Sequence, residues 1–331
     1  MGPVSSVPAL PPPAAHRDLP GLHEAVVRWF DDAARDLPWR DPDCTPWGVM
    51  VSEFMLQQTP VVRVLPVWRA WLQRWPRPAD LAADTAGEAV RAWGRLGYPR
   101  RALRLHAAAV EIVRRHGGQV PAAHDELLAL PGVGAYTAAA IAVFAFGDRQ
   151  TVVDTNIRRV HARVVSGRAL PSRSLTAAEV RLAEELMPAD DALAVRWNKA
   201  VMELGALVCT ARSPRCEQCP VREACAWVAA GRPEPEHAPR GQSWAGTDRQ
   251  VRGAIMAVLR AGAEPVPARH LAGPVDQAAG IEVEGLTPGA LRALDALHGL
   301  AAPEEQRRRA LDGLLQDGLA VDGAAGISLP G

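Results

Sequence analysis

The fold class predicted for this chain is all-α, and three observations predict it. Apolar residues recur at three- and four-residue spacing through successive segments from Leu22 to Val208, the period that buries one face of a helix. Proline and glycine stand at the joints of these segments, at Pro46, Pro60, Pro76, Gly97, Gly117–Gly118, Pro131 and Pro188, where they interrupt helices. No run alternates apolar and polar residues strongly enough to read as a firm strand.

Taken in order, Met1 to Pro20 is a proline-rich stretch (Pro8, Pro11, Pro12, Pro13) without the charged start and apolar run of a secretory signal, and reads as a disordered tail of a cytoplasmic protein. Helical spacing then covers Leu22–Ala34, and after Pro46 it covers Val49–Gln58. Pro60 separates this from Val61–Trp75, and Pro76 from Ala86–Trp93. Arg101–His116 runs from Gly97 to the Gly117–Gly118 pair, and a short helix, His124–Ala129, leads to Pro131. Beyond it come Ala135–Phe146, Asn156–Val165, Thr176–Met187 and, after Pro188, Leu193–Val208. Residues 229–247 form a polar linker rich in Pro and Gly. The remainder, 248–331, reads as a small module with helices at Gln250–Arg260 and Pro303–Gln316 and two extended pieces near Leu319–Val321 and Ile327–Leu329, an order that suits a winged helix.

The 331 residues suffice for two domains, and a 48% hydrophobic content implies a folded core. Thirty-seven basic residues balance thirty-seven acidic ones, so overall charge offers no support for nucleic-acid binding, which has to be argued locally. Lys199 is the only lysine. No stretch of about 18 apolar residues is present, which excludes a spanning helix.

Four groups of residues could carry chemistry. Cys209, Cys216, Cys219 and Cys225 are separated by six, two and five residues. Four clustered thiols in a cytosolic chain point to a metal before disulfides, and to an iron–sulfur cluster ahead of zinc, because zinc sites usually pair two CxxC knuckles and only one short pair occurs here. Cys44 is a distant bystander. Leu130-Pro131-Gly132-Val133-Gly134 lies between two helices; its glycines permit close backbone approach, and a helix start favours a phosphate oxygen. An ordinary αα-turn is the alternative. Glu53 and Gln57 share a helix face beside Val51, Phe54, Met55 and Leu56, and poor solvation there raises a carboxyl pKa toward that of a general acid; the alternative is a surface glutamate. Asp154 stands where a helix begins. Its plainest role is an N-cap, and the cap hydrogen bonds would keep it ionised, fit to stabilise a sugar oxocarbenium ion. Arg158, Arg159 and Arg163 follow on that helix, from which they could face phosphates.

In this order, SEFMLQQT, LPGVGAYTA, VDTNIRRV and the four cysteines resemble the endonuclease III (helix–hairpin–helix) superfamily of base-excision glycosylases, over about Gly21 to Trp227. The resemblance is nearest to the MutY-type, A/G-specific adenine branch. Tyr136 takes the position at which bifunctional members carry a lysine, Glu53 lies in EFMLQQT, and Arg35–Arg40 (RDLPWR) resembles an adenine-pocket segment. It implies a two-lobed core over 21–228, with a six-helix barrel at 41–147 and an iron–sulfur lobe formed by 21–40 and 148–228. It further implies a [4Fe–4S] cluster on the four cysteines and action on double-stranded DNA that contains mismatched adenine, in association with the nucleoid; a monomer is the default expectation.

By the same resemblance Glu53, Asp154, Tyr136 and Asn156 are catalytic. Leu37, Trp39, Arg40, Val61 and Glu203 line the adenine pocket, and Gln57, Gln58, Gly132, Val133 and Gly134 contact DNA. The expected reaction is hydrolysis of the glycosidic bond of adenine opposite guanine or 8-oxoguanine, without efficient strand cleavage, since a Schiff-base lyase needs an amine. Two rivals stand beside it: a thymine/uracil mismatch glycosylase, and a non-catalytic iron–sulfur DNA-binding protein. Residues 248–331 depart from the β-rich C-terminal domain of many adenine glycosylases, which puts preference for 8-oxoguanine in doubt; Arg249, Arg252 and Arg260 there either bind DNA or pack on the core.

Overall fold

The computed structural model describes residues 18–235, 244–274 and 285–331. In chain order its helices are α1 (Leu19–Ala33), α2 (Pro46–Leu56), α3 (Val61–Arg74), α4 (Pro78–Ala82), α5 (Ala86–Trp93), α6 (Arg100–His116), α7 (His124–Leu128) and α8 (Ala135–Phe146). There follow α9 (Thr155–Val164), α10 (Ala177–Glu185), α11 (Asp191–Leu207), α12 (Ala226–Ala229), α13 (Asp248–Ala261), α14 (Ala268–Ala272), α15 (Pro288–His298) and α16 (Glu304–Gln316). Strands β1 (Val321–Gly323) and β2 (Gly326–Ser328) form an antiparallel hairpin. The all-α expectation holds, and no described helix is long and apolar enough to cross a membrane.

Short polar side chains start many of the helices. Asp154 accepts from the Ile157 N–H at 2.7 Å and Asp190 from the Leu193 N–H at 2.7 Å, while Thr176 and Glu179 complete a capping box on α10. Asp18 caps α1 through the Gly21 N–H at 2.9 Å, so the first helix begins inside the expected tail. The rest of that tail, and residues 236–243 of the expected linker, lie outside the described residues.

The chain forms two compact units. One comprises the described residues up to Val49, Ala122–Leu128 and the described part of Val133–Pro239. Its core joins Val26 and Val27 of α1, Ala139, Ala140 and Val143 of α8, Val160 and Val164 of α9 and Trp197, Val201 and Leu204 of α11. The other comprises Met50–Pro121, Ala129–Gly132 and the described part of Arg240–Gly331. In it Trp71 meets Trp75 and Trp93 edge-on, with ring centroids 4.7 and 5.8 Å apart.

This division corrects the expected one in two respects. The helix α8 was assigned to the 41–147 lobe and belongs with the cysteine-bearing unit instead. It is apolar nearly all round, with Thr137 to Val143 buried, so it serves a core on every side. The module at 248–331 does not stand apart but belongs to the same unit as α3 to α6. Within the module α13 packs against α15 and α16, and Val266 bridges Ile327 of the hairpin. A helix, a bridging strand, further helices and a hairpin form a winged-helix-like order. The hairpin lies a residue or two from the expected pieces, with residues 324 and 325 as its turn and Gly326, at φ 127°, opening β2.

Candidate active site and cluster site

In the cysteine-bearing unit, Asp154 ends an extended segment and caps α9. Its Oδ1 accepts from Ile157 N–H at 2.7 Å and its Oδ2 from Asn156 Nδ2 at 2.9 Å. The Asn156 Oδ1 in turn accepts from Arg159 Nη2 at 2.7 Å. Arg159, buried, also donates to the carbonyls of Gly205 and Cys209, each at 2.7 Å. A continuous polar chain therefore runs from Asp154 through Asn156 and Arg159 to the backbone of the first cysteine. Burial raises the Asp154 pKa above the ordinary aspartate value, held back by the Ile157 and Asn156 hydrogen bonds and the Arg159 charge. The expectation that cap hydrogen bonds dominate is thus corrected: desolvation outweighs them.

Gly205 of α11 makes this arrangement possible. A Cβ there would lie 2.7 Å from the Asn156 Cβ and 2.9 Å from its carbonyl oxygen. Gly205→Ala is expected to destabilise the fold by about 1–3 kcal/mol through overpacking and to displace Asn156. Thermal melting beside an activity assay checks this; a variant with wild-type melting and wild-type turnover would refute it.

The three arginines of α9, which the sequence left free to face phosphates, are engaged within the protein. Arg158 pairs with Glu179 at 2.7 Å and donates to the Ser172 and Ser174 carbonyls, each at 2.8 Å. Arg163 is buried, donating to the carbonyls of Ala169, Thr210 and Ala211 at 2.8, 2.7 and 3.1 Å and lying 3.4 Å from Cys209 Sγ. Its guanidinium stacks 4.6 Å from the Trp227 ring.

The four cysteines line one cavity with Val160, Leu204, Val208 and Trp227. Among the described residues no three His, Cys, Asp or Glu side chains converge closely enough to hold a single metal ion. Four thiols lining one cavity supply one ligand for each iron of a four-iron cube. The donor set therefore fits an iron–sulfur cluster.

The Arg35–Arg40 segment is secured to α11 by charge. Glu203, 1% exposed, accepts from Arg35 N–H at 3.0 Å, from Arg35 Nε and Nη2 at 2.7 Å each, and from Arg40 Nη2 at 2.8 Å. Burial alone would raise the Glu203 pKa, but the hydrogen bonds and charges of the two arginines bring it down to about 2. The sequence reading placed Arg40 and Glu203 at the edge of a base and assigned no role to Arg35. The structure commits the Glu203 carboxylate to both arginines, with Arg35 donating three of the four hydrogen bonds. Leu37 and Trp39, between them in sequence, are buried. Lys199, one helical turn before Glu203, is half-buried, and burial and the Arg40 charge lower its pKa. Tyr136 sits half-buried in the first turn of α8, against the core of this unit. Val133 is buried, and Gly134 is the N-cap of α8, without a side-chain cap.

The remaining candidates lie in the other unit. Glu53 of α2 is 5% exposed, beside Val51, Phe54 and Met55, which are wholly buried. Gln57 and Gln58 follow the helix, Gln58 exposed at φ 57°, and Val61 opens α3 half-buried. Gly132 has φ 78°, and a Cβ there would meet the Arg104 side chain at 2.6 Å, so only glycine fits.

One residue beside Gln57 escaped the sequence reading. Tyr98 is 53% exposed at φ 47°. The Arg101 guanidinium lies 4.5 Å from its ring and also donates to the Gln57 carbonyl. The chain has only two tyrosines; their scarcity was the one signal available, since exposure and backbone strain are not written in a sequence.

Comparison with known proteins accords with this geometry. Residues 51–185 match the family described as HhH-GPD superfamily base excision DNA repair protein, and residues 209–225 match the iron–sulfur binding domain of endonuclease III. The chain is 47% identical to the adenine DNA glycosylase of Mycobacterium tuberculosis, over 92% of each chain. It is 36% identical to a thymine/uracil-DNA glycosylase of Pyrobaculum aerophilum, over 62% of this chain and 90% of that one. Among solved structures, a thermostable thymine-DNA glycosylase superposes with a TM-score of 0.58 at 26% identity, covering 66% of this chain and all of that one.

Proposed function

Because this chain belongs to the adenine DNA glycosylases, base excision DNA repair enzymes of the HhH-GPD superfamily that carry an iron–sulfur cluster, we propose that it hydrolyses the glycosidic bond of adenine mispaired with guanine or 8-oxoguanine, through the following residues. The supporting observation is the Arg35–Glu203–Arg40 frame: it positions Leu37 and Trp39, the segment that separates the adenine reading from the thymine/uracil one.

The target bond lies inside a duplex, so the nucleotide is flipped out before reaction. Gln57, Gln58 and the exposed ring of Tyr98 fill the space left in the stack. The glycine turn at 132–134 and the uncapped start of α8 receive a backbone phosphate without reading sequence. Leu37, Trp39 and Val61 pack against the base, while Arg40, fixed by Glu203, meets its polar edge.

Adenine leaves poorly as an anion. Glu53 donates a proton to a ring nitrogen, and the departing base is neutral. Positive charge then grows on the sugar, where ionised Asp154, oriented by Asn156, stabilises it. Tyr136 orients the reacting groups, and water completes an abasic site. Cys209, Cys216, Cys219 and Cys225 hold the cluster, which supports the DNA-binding fold.

Because burial raises the Asp154 pKa and the ionised form is the active one, turnover is expected to fall with decreasing pH through a limb lying above the ordinary aspartate value of about 3.9. A single-turnover pH profile that stays flat down to that value would contradict the assignment.

One assay tests the function. Duplexes containing A:8-oxoguanine, A:G, T:G or U:G are incubated with the protein, then cleaved at abasic sites with alkali. Scission at adenine supports the proposal, and without alkali the strand stays largely intact, as Tyr136 offers no amine. Scission at pyrimidines alone supports the mismatch rival, and binding without scission the non-catalytic one.

A further inference from the structure

We propose that the C-terminal module is a brace: it holds the α5–α6 connection, and with it Tyr98, in the conformation that enters DNA. This rests on the reading of Tyr98 as a wedge. The connection, residues 94–99, carries φ values of 56° at Gly94, 87° at Gly97 and 47° at Tyr98. Glycine adopts such values freely, but a tyrosine does so at a cost and only where its surroundings hold it there.

The module grips the helix on each side of that connection. On α5, the Arg91 guanidinium donates to the carbonyls of Leu259, Arg260 and Gly262, at 3.4 Å for the first and 2.8 Å for the last. Arg260 returns the contact, its Nε donating to the Val90 carbonyl at 3.0 Å. Beside them a Cβ on Gly87 would stand 2.3 Å from the Pro330 carbonyl oxygen, so α5 accepts the end of the module only because that residue is glycine.

On α6, Arg100 donates to Asp317, just past α16, at 3.1 Å, and Arg252 of α13 pairs with the same carboxylate. Arg252 reaches it across Gly313, where a Cβ would lie 2.2 Å from Nη1. Glycine inside a helix is destabilising relative to alanine, and here its lack of a side chain gives Arg252 passage. The next residue of α6, Arg101, carries the Tyr98 ring and holds the Gln57 carbonyl.

A DNA reader of winged-helix form would instead need a surplus of cations for phosphate. Residues 248–331 contain eight arginines against eleven acidic residues. Arg252 and Arg260 are committed to internal contacts, as is Arg307, which donates to the Ala302 and Gly273 carbonyls. The hairpin tip, residues 322–325, has no basic side chain. The two arginines that the sequence reading offered to DNA here are thereby reassigned; the third, Arg249, stacks 6.0 Å from Trp244.

The test measures, in the full chain, the ratio of affinities for A:G-mismatched and matched duplex. Asp317→Asn and, independently, Arg100→Gln are expected to lower that ratio about fivefold, the scale of a small surface ion-pair network, and Asp317→Glu to restore it. Combined with Tyr98→Ala, Asp317→Asn should cause no further loss. An equal loss in both backgrounds overturns the brace, as does a shallower salt dependence of binding when Arg308 and Arg309 become alanine, which would make the module a phosphate contact. If Tyr98→Ala alone leaves the ratio intact, the wedge reading fails first and the brace with it.

Discussion

Glu53→Gln is expected to slow adenine release by at least about 10²–10⁴-fold, the usual contribution of a positioned acid, while mismatch affinity stays within about twofold of wild type. Glutamine matches the shape of the carboxylic acid but has no proton to give a ring nitrogen. Glu53 is almost fully buried on α2 beside Val51, Phe54 and Met55, so the substitution changes the acid group without adding bulk to a closely packed place. Single-turnover cleavage with enzyme in excess isolates the chemical step, and a binding assay on the same duplex shows whether recognition survives. Cleavage at the wild-type rate would remove Glu53 from the acid role. A matching loss of binding would make it a structural residue instead.

The second large effect is expected at Glu203. With a folded pKa of about 2, it sits roughly two units below an unfolded glutamate near 4.3, which corresponds to roughly 3 kcal/mol of stability. Breaking a buried pair gives a similar figure, about 3–5 kcal/mol, with the lower end apt because Arg35 and Arg40 keep some contact with water. The folded pKa is depressed, so this stabilisation is fully present above about pH 4.3 and is lost as pH falls toward 2. Urea denaturation of wild type and Glu203→Gln should therefore show a gap at neutral pH that narrows in acid. A gap independent of pH would show that Glu203 acts through packing rather than charge. The same variant should weaken adenine excision, since the Leu37–Trp39 segment loses its anchor on α11.

Much of the helical order could be read from the chain because amphipathic periodicity is a local property. The boundaries of α5 and α8 coincide with the expected ones, and those of α3 and α6 differ by one residue. The cysteine spacing was legible for a similar reason: four thiols within seventeen residues have few other uses. Charged side chains were misread. Arg158, Arg159 and Arg163 look like a phosphate-binding stripe on one helix, yet Glu179, backbone carbonyls and a cysteine sulfur take them up. An arginine stem reaches several ångströms in many directions, and its partner is chosen by whatever the fold brings near. Arg35 was missed on the same grounds, and Tyr98 because its exposure and positive φ arise only on folding.

What the amino-acid order settled unaided was the all-α class, most of the longer helices, the cysteine set of the iron–sulfur site and the family, because periodicity, spacing and residue type are read along the chain. Tertiary structure alone decided that burial outweighs hydrogen bonding at Asp154, that Glu203 is committed to two arginines, and that Gly262 and Asp317 of the C-terminal module meet Arg91 of α5 and Arg100 of α6. Desolvation and charge pairing depend on distances between segments far apart in sequence, and those distances exist only once the chain has folded.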